Sequence, residues 1–283
     1  MVRLIVRRRL LLGAALWIAG AASMWGQNAA AVVNPPTYDV VSIKPNKSGS
    51  DLVRIMWPPD RFSATEVSLK QLLLYAYNLK LDSQILGLPG AISDARFDIE
   101  AKFDDESVAT LKKLSKDEEN GRRRVMMQAI LADRFRLRAH PENKELPIYA
   151  LVVAKGGSRL KEADPNNTYS NGIKGPDGIS RPGMWLSSNG ELKAQAVLLK
   201  DMEKLLGERV DRLVVDKTGL TGKYDFNLQW TPEENRGTDD GTGKNSGPSI
   251  FTALQEQLGL KLESTKERVK VVVVDSVAMP SEN

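Results

Sequence analysis

The chain has 283 residues, and its 40 Lys and Arg against 36 Asp and Glu give a formal net charge of +4. The whole excess lies in residues 1–30, which contain four arginines and no lysine or acid, so the rest of the chain is formally neutral and offers no support for nucleic-acid binding. With no cysteine and a single histidine, the sequence excludes disulfides, cysteine nucleophiles, thiolate zinc sites and any site that needs two histidines.

The first 30 residues have the pattern of a secretory signal peptide. A basic head, Arg3–Arg9, precedes an apolar run, Leu10–Ala22, and small residues continue to Ala31. The run has about 13 residues, fewer than the ~20 that span a membrane, which favours cleavage over a retained anchor. The sequence therefore predicts a periplasmic or secreted protein with no stable membrane insertion once it is cut between Ser23 and Ala31. The consecutive arginines leave a twin-arginine signal open beside the general export route.

Residues 38–160 have the pattern of a first α+β module. A helix behind a Ser68 cap is predicted because Leu69, Leu72, Leu73 and Ala76 recur at helical spacing. In chain order, the predicted elements are the strands Tyr38–Ile43 and Arg61–Thr65, a helix over Val67–Tyr77, a strand and turn over Gln84–Gly90, the strand Arg96–Phe103, a helix over Glu118–Phe135 and the strand Leu146–Val153.

Residues 161–184 are dense in Gly, Pro, Asn and Asp, which predicts a linker or long loop. Residues 185–283 then repeat the order of the first module, because Glu191–Leu206 aligns with Arg61–Ala76 without a gap at an offset of 130. Further segments align in the same order: Gly219–Gly222 with Gly87–Gly90, Tyr224–Leu228 with Phe97–Ala101, and Leu260–Leu262 with Phe135–Leu137. We interpret the repeat as an internal duplication.

The predicted fold class is therefore α+β, with two homologous modules that follow a signal peptide. Each module is expected to hold a small mixed or antiparallel sheet and two amphipathic helices. A flexible insert is predicted at 231–247, because the stretch from Glu233 to Gly247 contains no apolar residue that could pack.

Several motifs resemble reactive sites but are better explained as structure. Asp216–Leu220 differs by one residue from the Asp-Lys-Thr-Gly-Thr motif of cation-pumping ATPases, yet the duplication aligns Gly219–Gly222 with a turn. His140 is interpreted as a strand-end residue, and Arg122–Arg124 as a solvated helix face. No catalytic, cofactor-binding or metal-ligating residue is predicted.

Trp57 and Trp185 are the two ligand-contact candidates. They lie shortly before the first strand of each aligned copy, which begins at Arg61 and at Glu191, beside Pro58-Pro59 and Pro182-Gly183. The alternative is that each tryptophan closes its own hydrophobic core.

Several long motifs together resemble the acidobacterial soil-associated protein family, a group of exported proteins of unknown function. The motifs that carry the resemblance are Tyr38–Asn46, Arg96–Ala101, Leu131–Leu137, Lys144–Gly157, Val214–Phe226 and Thr252–Ser264. The resemblance implies a secreted or periplasmic α+β protein with no assigned reaction and no catalytic residue to carry over. Related domains attached to antibiotic-sensor metallopeptidases suggest extracytoplasmic sensing or binding.

The expected function is non-enzymatic binding of a peptide or of an envelope or secreted protein, through a sheet edge or a groove between the modules. Small α+β units with an exposed sheet edge are suited to accept an added strand. Two alternatives stay open: an extracytoplasmic carboxylate-based hydrolase of polymers, and capture of a small apolar ligand. Two buried acids that face each other across a cleft would favour the hydrolase.

Overall fold

The computed structural model describes residues 38–50, 52–166, 173–174, 180–181, 183–187, 190–233 and 247–280. The predicted signal peptide at 1–30 lies outside these residues, as do half of the 161–184 linker and most of the 231–247 insert. The described residues all belong to one compact unit, Pro35–Asn283.

The described part of the N-terminal half contains six strands and four α-helices, and a 3₁₀ turn over Asp82–Gln84 precedes the fourth strand. The elements are β1 Tyr38–Asn46, β2 Arg54–Met56, β3 Arg61–Ser68, α1 Leu69–Tyr77, β4 Ile85–Leu86, α2 Gly90–Ser93, β5 Arg96–Phe103, α3 Asp105–Leu111, α4 Lys116–Arg134 and β6 Arg138–Val153.

Within its described residues, the C-terminal half contains eight strands and two α-helices. A 3₁₀ turn over Leu199–Met202 leads into the first helix, and a π-helical turn over Leu254–Leu258 continues the second. The elements are β7 Lys161–Glu162, β8 Ile173–Lys174, β9 Ser180–Arg181, β10 Gly183–Leu186, β11 Glu191–Leu198, α5 Glu203–Val210, β12 Val214–Asp216, β13 Lys223–Gln229, α6 Ile250–Ala253 and β14 Leu260–Ser276.

Three four-stranded sheets organise these elements. The first sheet has the order β1-β5-β3-β2 and the second sheet the order β10-β11-β13-β7, and both are antiparallel throughout. A third sheet, the linking sheet, has the order β12-β6-β14-β4, while β8 and β9 pair only with each other. The predicted α+β class is confirmed.

The linking sheet joins the two halves of the chain. Its long strands β6 and β14 run antiparallel, from the pair Leu260 and Val153 to the pair Ser276 and Arg138. β4, from the first half, adds parallel to β14, and β12, from the second half, adds parallel to β6. Each half therefore completes the sheet with a short strand beside the other half's long strand.

The described residues form two hydrophobic cores. The first core lies between the first sheet and helices α1 and α4, and its fully buried side chains include Phe62, Leu73, Phe97 and Met127. The second core lies between the second sheet, α5, α6 and one face of the linking sheet. Each four-stranded outer sheet therefore buries one face, as antiparallel sheets commonly do.

Helix α1 shows how the sequence sets these elements. Ser68 caps its N-terminus, since the Ser68 hydroxyl accepts a hydrogen bond from the Gln71 backbone N–H, and Asn78 ends the helix in the left-handed conformation. The predicted cap is confirmed, but the helix begins at Leu69 rather than Val67. Val67 still belongs to β3, where it pairs with Phe97.

Strand β6 is twice as long as the predicted strand Leu146–Val153, because it starts at Arg138. Its first half is largely exposed and polar, so the sequence shows no alternation there. Pairing with β14 along nearly the whole length holds this segment extended.

Candidate functional site

Trp57 lies in the turn between β2 and β3. The turn brings its indole against the first core, where it contacts three aromatic rings. Its ring centroid lies 4.5 Å from that of Phe62, 5.0 Å from that of Tyr75 in a stacked arrangement, and 6.3 Å from that of Phe103. The predicted ligand-contact residue is therefore a half-buried member of an aromatic cluster.

Arg123, on helix α4, reaches the same indole. Its guanidinium carbon lies 5.3 Å from the centroid of the Trp57 ring, a cation–π distance, and its Nη1 donates a hydrogen bond to the Trp57 carbonyl at 3.3 Å. Its Nη2 forms an ion pair of 2.5 Å with Glu119, one helical turn earlier. Only 9% of the arginine surface remains exposed.

Two tyrosines complete the cluster. The Tyr38 ring packs edge-on against Phe103, with centroids 5.7 Å apart, and Tyr75 stacks on Trp57. Burial raises the pKa of Tyr38 far above its usual value, and the nearby Tyr75 adds to the rise. Burial also raises the pKa of Tyr75, while the positive charges of Arg123 and Arg124 oppose the increase. Both phenols therefore stay protonated at neutral pH.

We call these six side chains, Tyr38, Trp57, Phe62, Tyr75, Phe103 and Arg123, the Trp57 cluster. Three of its buried polar atoms lack a hydrogen-bond partner among the described residues: the Tyr38 hydroxyl, Trp57 Nε1 and Arg123 Nε. Buried polar side-chain atoms are partnered in the large majority of cases, and a buried tryptophan N–H usually finds an acceptor.

A second feature lies immediately before Trp57 in the chain. Seven large hydrophobic side chains are clearly exposed among the described residues, and three of them lie in or next to β2: Leu52 at 65%, Ile55 at 40% and Met56 at 46%. β2 pairs with β3 on one side only and ends the first sheet. We call residues 52–56 the β2 edge.

Trp185 occupies a different position from Trp57. Trp185 lies within β10, where it pairs with Lys193 of β11. At the offset of 130, Lys193 corresponds to Ser63, and Ser63 pairs with Met56. The structure therefore matches Trp185 with Met56 rather than with Trp57. Trp185 is half-exposed and belongs to neither hydrophobic core, so the structure does not bring the two tryptophans together.

Arg123 corrects the interpretation of Arg122–Arg124 as a solvated helix face. Helical spacing places Arg123 three residues before Met126, four before Met127 and seven before Ile130, and all three of these side chains are buried. The apolar stripe of the helix could therefore have marked Arg123 as inward-facing. Tyr38 gave no comparable signal, since it begins a strand.

The Asp216 motif is confirmed as a turn. Asp216 Oδ1 accepts hydrogen bonds from the Thr218 backbone N–H at 2.9 Å and from the Thr218 hydroxyl at 2.7 Å, and the hydroxyl oxygen accepts one from the Leu220 N–H at 3.1 Å. The carboxylate is thus engaged in an Asx turn.

His140 is a half-exposed residue near the start of β6. Its Nδ1 lies 2.9 Å from Asp275 Oδ2 on β14, and its Nε2 lies 3.1 Å from Glu142 Oε1. The hydrogen bond to Asp275, followed by that to Glu142, raises the pKa of His140.

Glu66 and Glu203 are the buried acids among the described residues. Glu66, on β3, accepts a hydrogen bond from the Ser48 hydroxyl, and Glu203, on α5, pairs with Lys80 and accepts the Asp216 N–H at 2.8 Å. Because the two carboxylates lie in different elements and are engaged separately, the described residues show no opposed acid pair of the kind that the hydrolase alternative requires.

The described residues contain neither a membrane-spanning helix nor a metal-binding cluster. None of the helices there combines the length and the apolar character needed to cross a membrane. No group of three or more His, Asp or Glu residues is placed to hold a metal ion in that part of the chain.

Comparison with protein families matches residues 70–277 to the family described as "Protein of unknown function (DUF3738)". The matched region runs from the second residue of α1 to just beyond β14, so Arg123 and Tyr75 lie inside it and Trp57 lies before it. Comparisons with curated proteins and with solved structures give no match. Because the matched region covers well over half of its length, the chain belongs to the DUF3738 family of proteins of unknown function.

Proposed function

We propose that the chain is an exported, non-enzymatic binding protein that holds an extended peptide segment of an envelope or secreted protein along the β2 edge. The observation that carries the proposal is the concentration of exposed apolar side chains, Leu52, Ile55 and Met56, in and just before a strand with one open side. Exposed apolar edge strands invite pairing with a further strand, and proteins with no such role usually protect them.

The backbone of the β2 edge supports this proposal. β2 pairs with β3 through Arg54 and Thr65, Ile55 and Ala64, and Met56 and Ser63, and no described residue hydrogen-bonds to its outer side. An added strand would satisfy these outward N–H and C=O groups and cover the apolar side chains, which is the usual mode of strand addition.

The charge on the edge indicates the kind of peptide. Arg54 is exposed and forms no ion pair within the described residues. The expected partner is therefore an extended segment rich in β-branched or aromatic residues, with an acidic side chain placed to meet Arg54.

Two further parts of the proposal rest on the sequence. Residues 1–30 carry the export signal, and the internal duplication makes the first sheet one of two homologous units. We also propose that, within the DUF3738 family, the chain belongs to the acidobacterial soil-associated group.

Site-specific photo-crosslinking in the native host tests the function. A photo-reactive amino acid is placed at Met56 of the full chain and, in a separate control, at Phe251, which is exposed to a similar extent at 39%. The proposal predicts one discrete crosslinked protein from position 56 and none from position 251. Ile55→Lys, which adds a charge to the edge, should abolish the product. Equal labelling at both positions, or a product that survives Ile55→Lys, would refute it.

A further inference from the structure

One face of the linking sheet is covered at both ends and exposed between them. Side chains at alternate positions of β14 share a face, and this face starts with Leu260 and Leu262, which are buried in the second core. It ends with Val272 and Val274, which are both buried, and Val274 belongs to the first core. Four exposed residues lie between them on the same face: Ser264, Lys266, Arg268 and Lys270. At the usual rise of a strand, this open stretch is about 20 Å long.

Cations dominate the open stretch. Three of its four β14 side chains are positively charged and occupy alternate positions, so neighbouring charges are roughly 7 Å apart. The acids of the same strand, Glu263 and Glu267, lie on the opposite face. The β6 residues that pair with the four β14 residues are Tyr149, Pro147, Glu145 and Asn143, of which only Glu145 is acidic. We call these eight side chains the basic face.

The cations of the basic face are available to a ligand. The Arg268 side chain is exposed, and within the described residues it forms neither an ion pair nor a hydrogen bond. Lys266 pairs with Glu145 at 3.8 Å, but both side chains are well exposed, so this pair is weak. Lys270 donates a hydrogen bond of 2.7 Å to the Tyr77 carbonyl at the end of α1, and its remaining ammonium hydrogens can bind a ligand.

An aromatic ring borders one end of the basic face. Phe251, on α6, packs edge-on against Tyr149 with the ring centroids 5.4 Å apart, and it is 39% exposed. The Arg212 guanidinium lies over the Tyr149 ring at 4.6 Å and donates a hydrogen bond of 3.1 Å to the Ser264 hydroxyl. A fourth cation and an apolar ring therefore lie together at this end.

The spacing of the charges favours a linear polyanion. A compact anion reaches one or two cations that are roughly 7 Å apart, whereas a chain of repeated carboxylates meets all of them and gains from multivalency. An extended peptide is disfavoured, because backbone N–H and C=O groups lie in the plane of a sheet and the face offers none for strand pairing. A flat membrane surface is also disfavoured, since α6 and the end of α1 contact the two ends of the basic face.

We propose that the basic face is a binding site for a linear acidic polysaccharide of the polyuronate class. Lys266 and Arg268 bind carboxylates at intervals along the polymer, and Lys270 extends the row of cations. The Phe251 ring contacts the C–H face of a sugar, which distinguishes this class from a polyphosphate. The site is separate from the β2 edge and does not depend on it.

Calorimetric titration of the full chain with polygalacturonate tests the site. The matched control is the same polymer with its carboxylates methyl-esterified, which keeps the sugar chain and removes the charge. Polygalacturonate should bind, and its affinity should fall roughly tenfold between about 50 mM and about 200 mM salt, while the ester should not bind. If the ester binds equally well, or if an oligothymidylate binds as tightly as polygalacturonate, the assignment to an acidic polysaccharide is wrong.

Variants separate the basic face from the charge of the whole protein. Arg268→Gln removes the unpaired cation at the centre of the row and should weaken binding roughly fivefold or more, whereas Arg268→Lys should retain most of it. Lys144→Gln is the matched control, because Lys144 lies on β6 in the same stretch but on the opposite face, opposite Val269. Its binding should be unchanged. Equal losses in Arg268→Gln and Lys144→Gln would overturn the proposal.

Chemical acetylation of lysines tests the same point without a substitution. The Lys266 and Lys144 side chains are 70% and 45% exposed, so both react in the ligand-free protein. Polygalacturonate should slow the acetylation of Lys266 several-fold and leave that of Lys144 unchanged, as measured by mass spectrometry of the digested protein. Protection of neither lysine, or equal protection of both, would show that the polymer does not bind at the basic face.

Discussion

Asp98 and Asp225 make the same hydrogen bond in the two outer sheets. Asp98 Oδ1 accepts from the backbone N–H of Glu66 at 3.1 Å, and Asp225 Oδ1 accepts from that of Ala196 at 2.8 Å. Glu66 and Ala196 lie 130 residues apart, and both are in the left-handed conformation, with φ of 57° and 51°. Each marks a bulge where the register of the sheet shifts. The coincidence of bulge, conformation and carboxylate supports the proposed duplication.

The two bulges respond differently to glycine. Ala196→Gly should stabilise the protein by about 0.5–1 kcal/mol, because glycine adopts a positive φ without the steric cost that alanine meets. Glu66→Gly gains the same relief but loses the buried hydrogen bond from the Ser48 hydroxyl, so its stability should stay the same or fall. Urea denaturation of both variants checks this pair. If Ala196→Gly is destabilising, the strain assigned to the bulge is wrong.

The ion pair between Lys80 and Glu203 ties the two halves together. Lys80 follows α1, and Glu203 begins α5, with only 10% of its side chain exposed. Lys80→Met should lower the free energy of unfolding by about 2 kcal/mol, because it leaves a buried carboxylate without its cation. Denaturant unfolding measures the change.

A matched control for this ion pair lies on the same helix. Lys204 and Glu208 form an ion pair of 3.8 Å, and their side chains are 61% and 50% exposed. Lys204→Met should therefore cost less than about 0.5 kcal/mol. Equal effects of the two substitutions would mean that burial of Glu203 does not strengthen its pair.

His140 predicts a pH dependence with a definite sign. Its hydrogen bonds to Asp275 and Glu142 raise its pKa above the unfolded value of 6.5. The stability that protonated His140 contributes to the fold is therefore fully present below pH 6.5, and it is lost as the pH rises through the higher folded pKa. The difference in melting temperature between the protein and His140→Gln should therefore shrink from about pH 5 to pH 8. Lys144 also pairs with Glu142, at 3.1 Å. A difference that grows with pH would contradict the assignment.

Elements built on local signals could be predicted from the sequence, while those built on distant pairing could not. The Ser68 cap and the buried stripe of α1 are fixed by residues within a few positions, and both were predicted. The first half of β6 is extended only because β14, more than 100 residues later, pairs with it. In the candidate site, Trp57 was predicted, but its contacts with Phe103 and Arg123 depend on the packing of α4 and the first sheet.

Gly259, directly before β14, should tolerate substitution poorly. It has a φ of 66°, and an added Cβ would overlap the carbonyl oxygen of Gly157. Its own carbonyl accepts a hydrogen bond from the Ala154 N–H at 2.9 Å, so the two segments cannot move apart freely. Gly259→Ala should therefore cost more than about 2 kcal/mol, from the left-handed conformation and the clash together.

Gly121 is the matched control for this substitution. It lies inside α4 with open space around an added Cβ, so Gly121→Ala should stabilise the protein by about 0.5–1 kcal/mol through helix propensity. Chemical denaturation of both variants decides the point. If Gly259→Ala is tolerated as well as Gly121→Ala, the close approach between the segments around Gly157 and Gly259 does not hold the start of β14 in place.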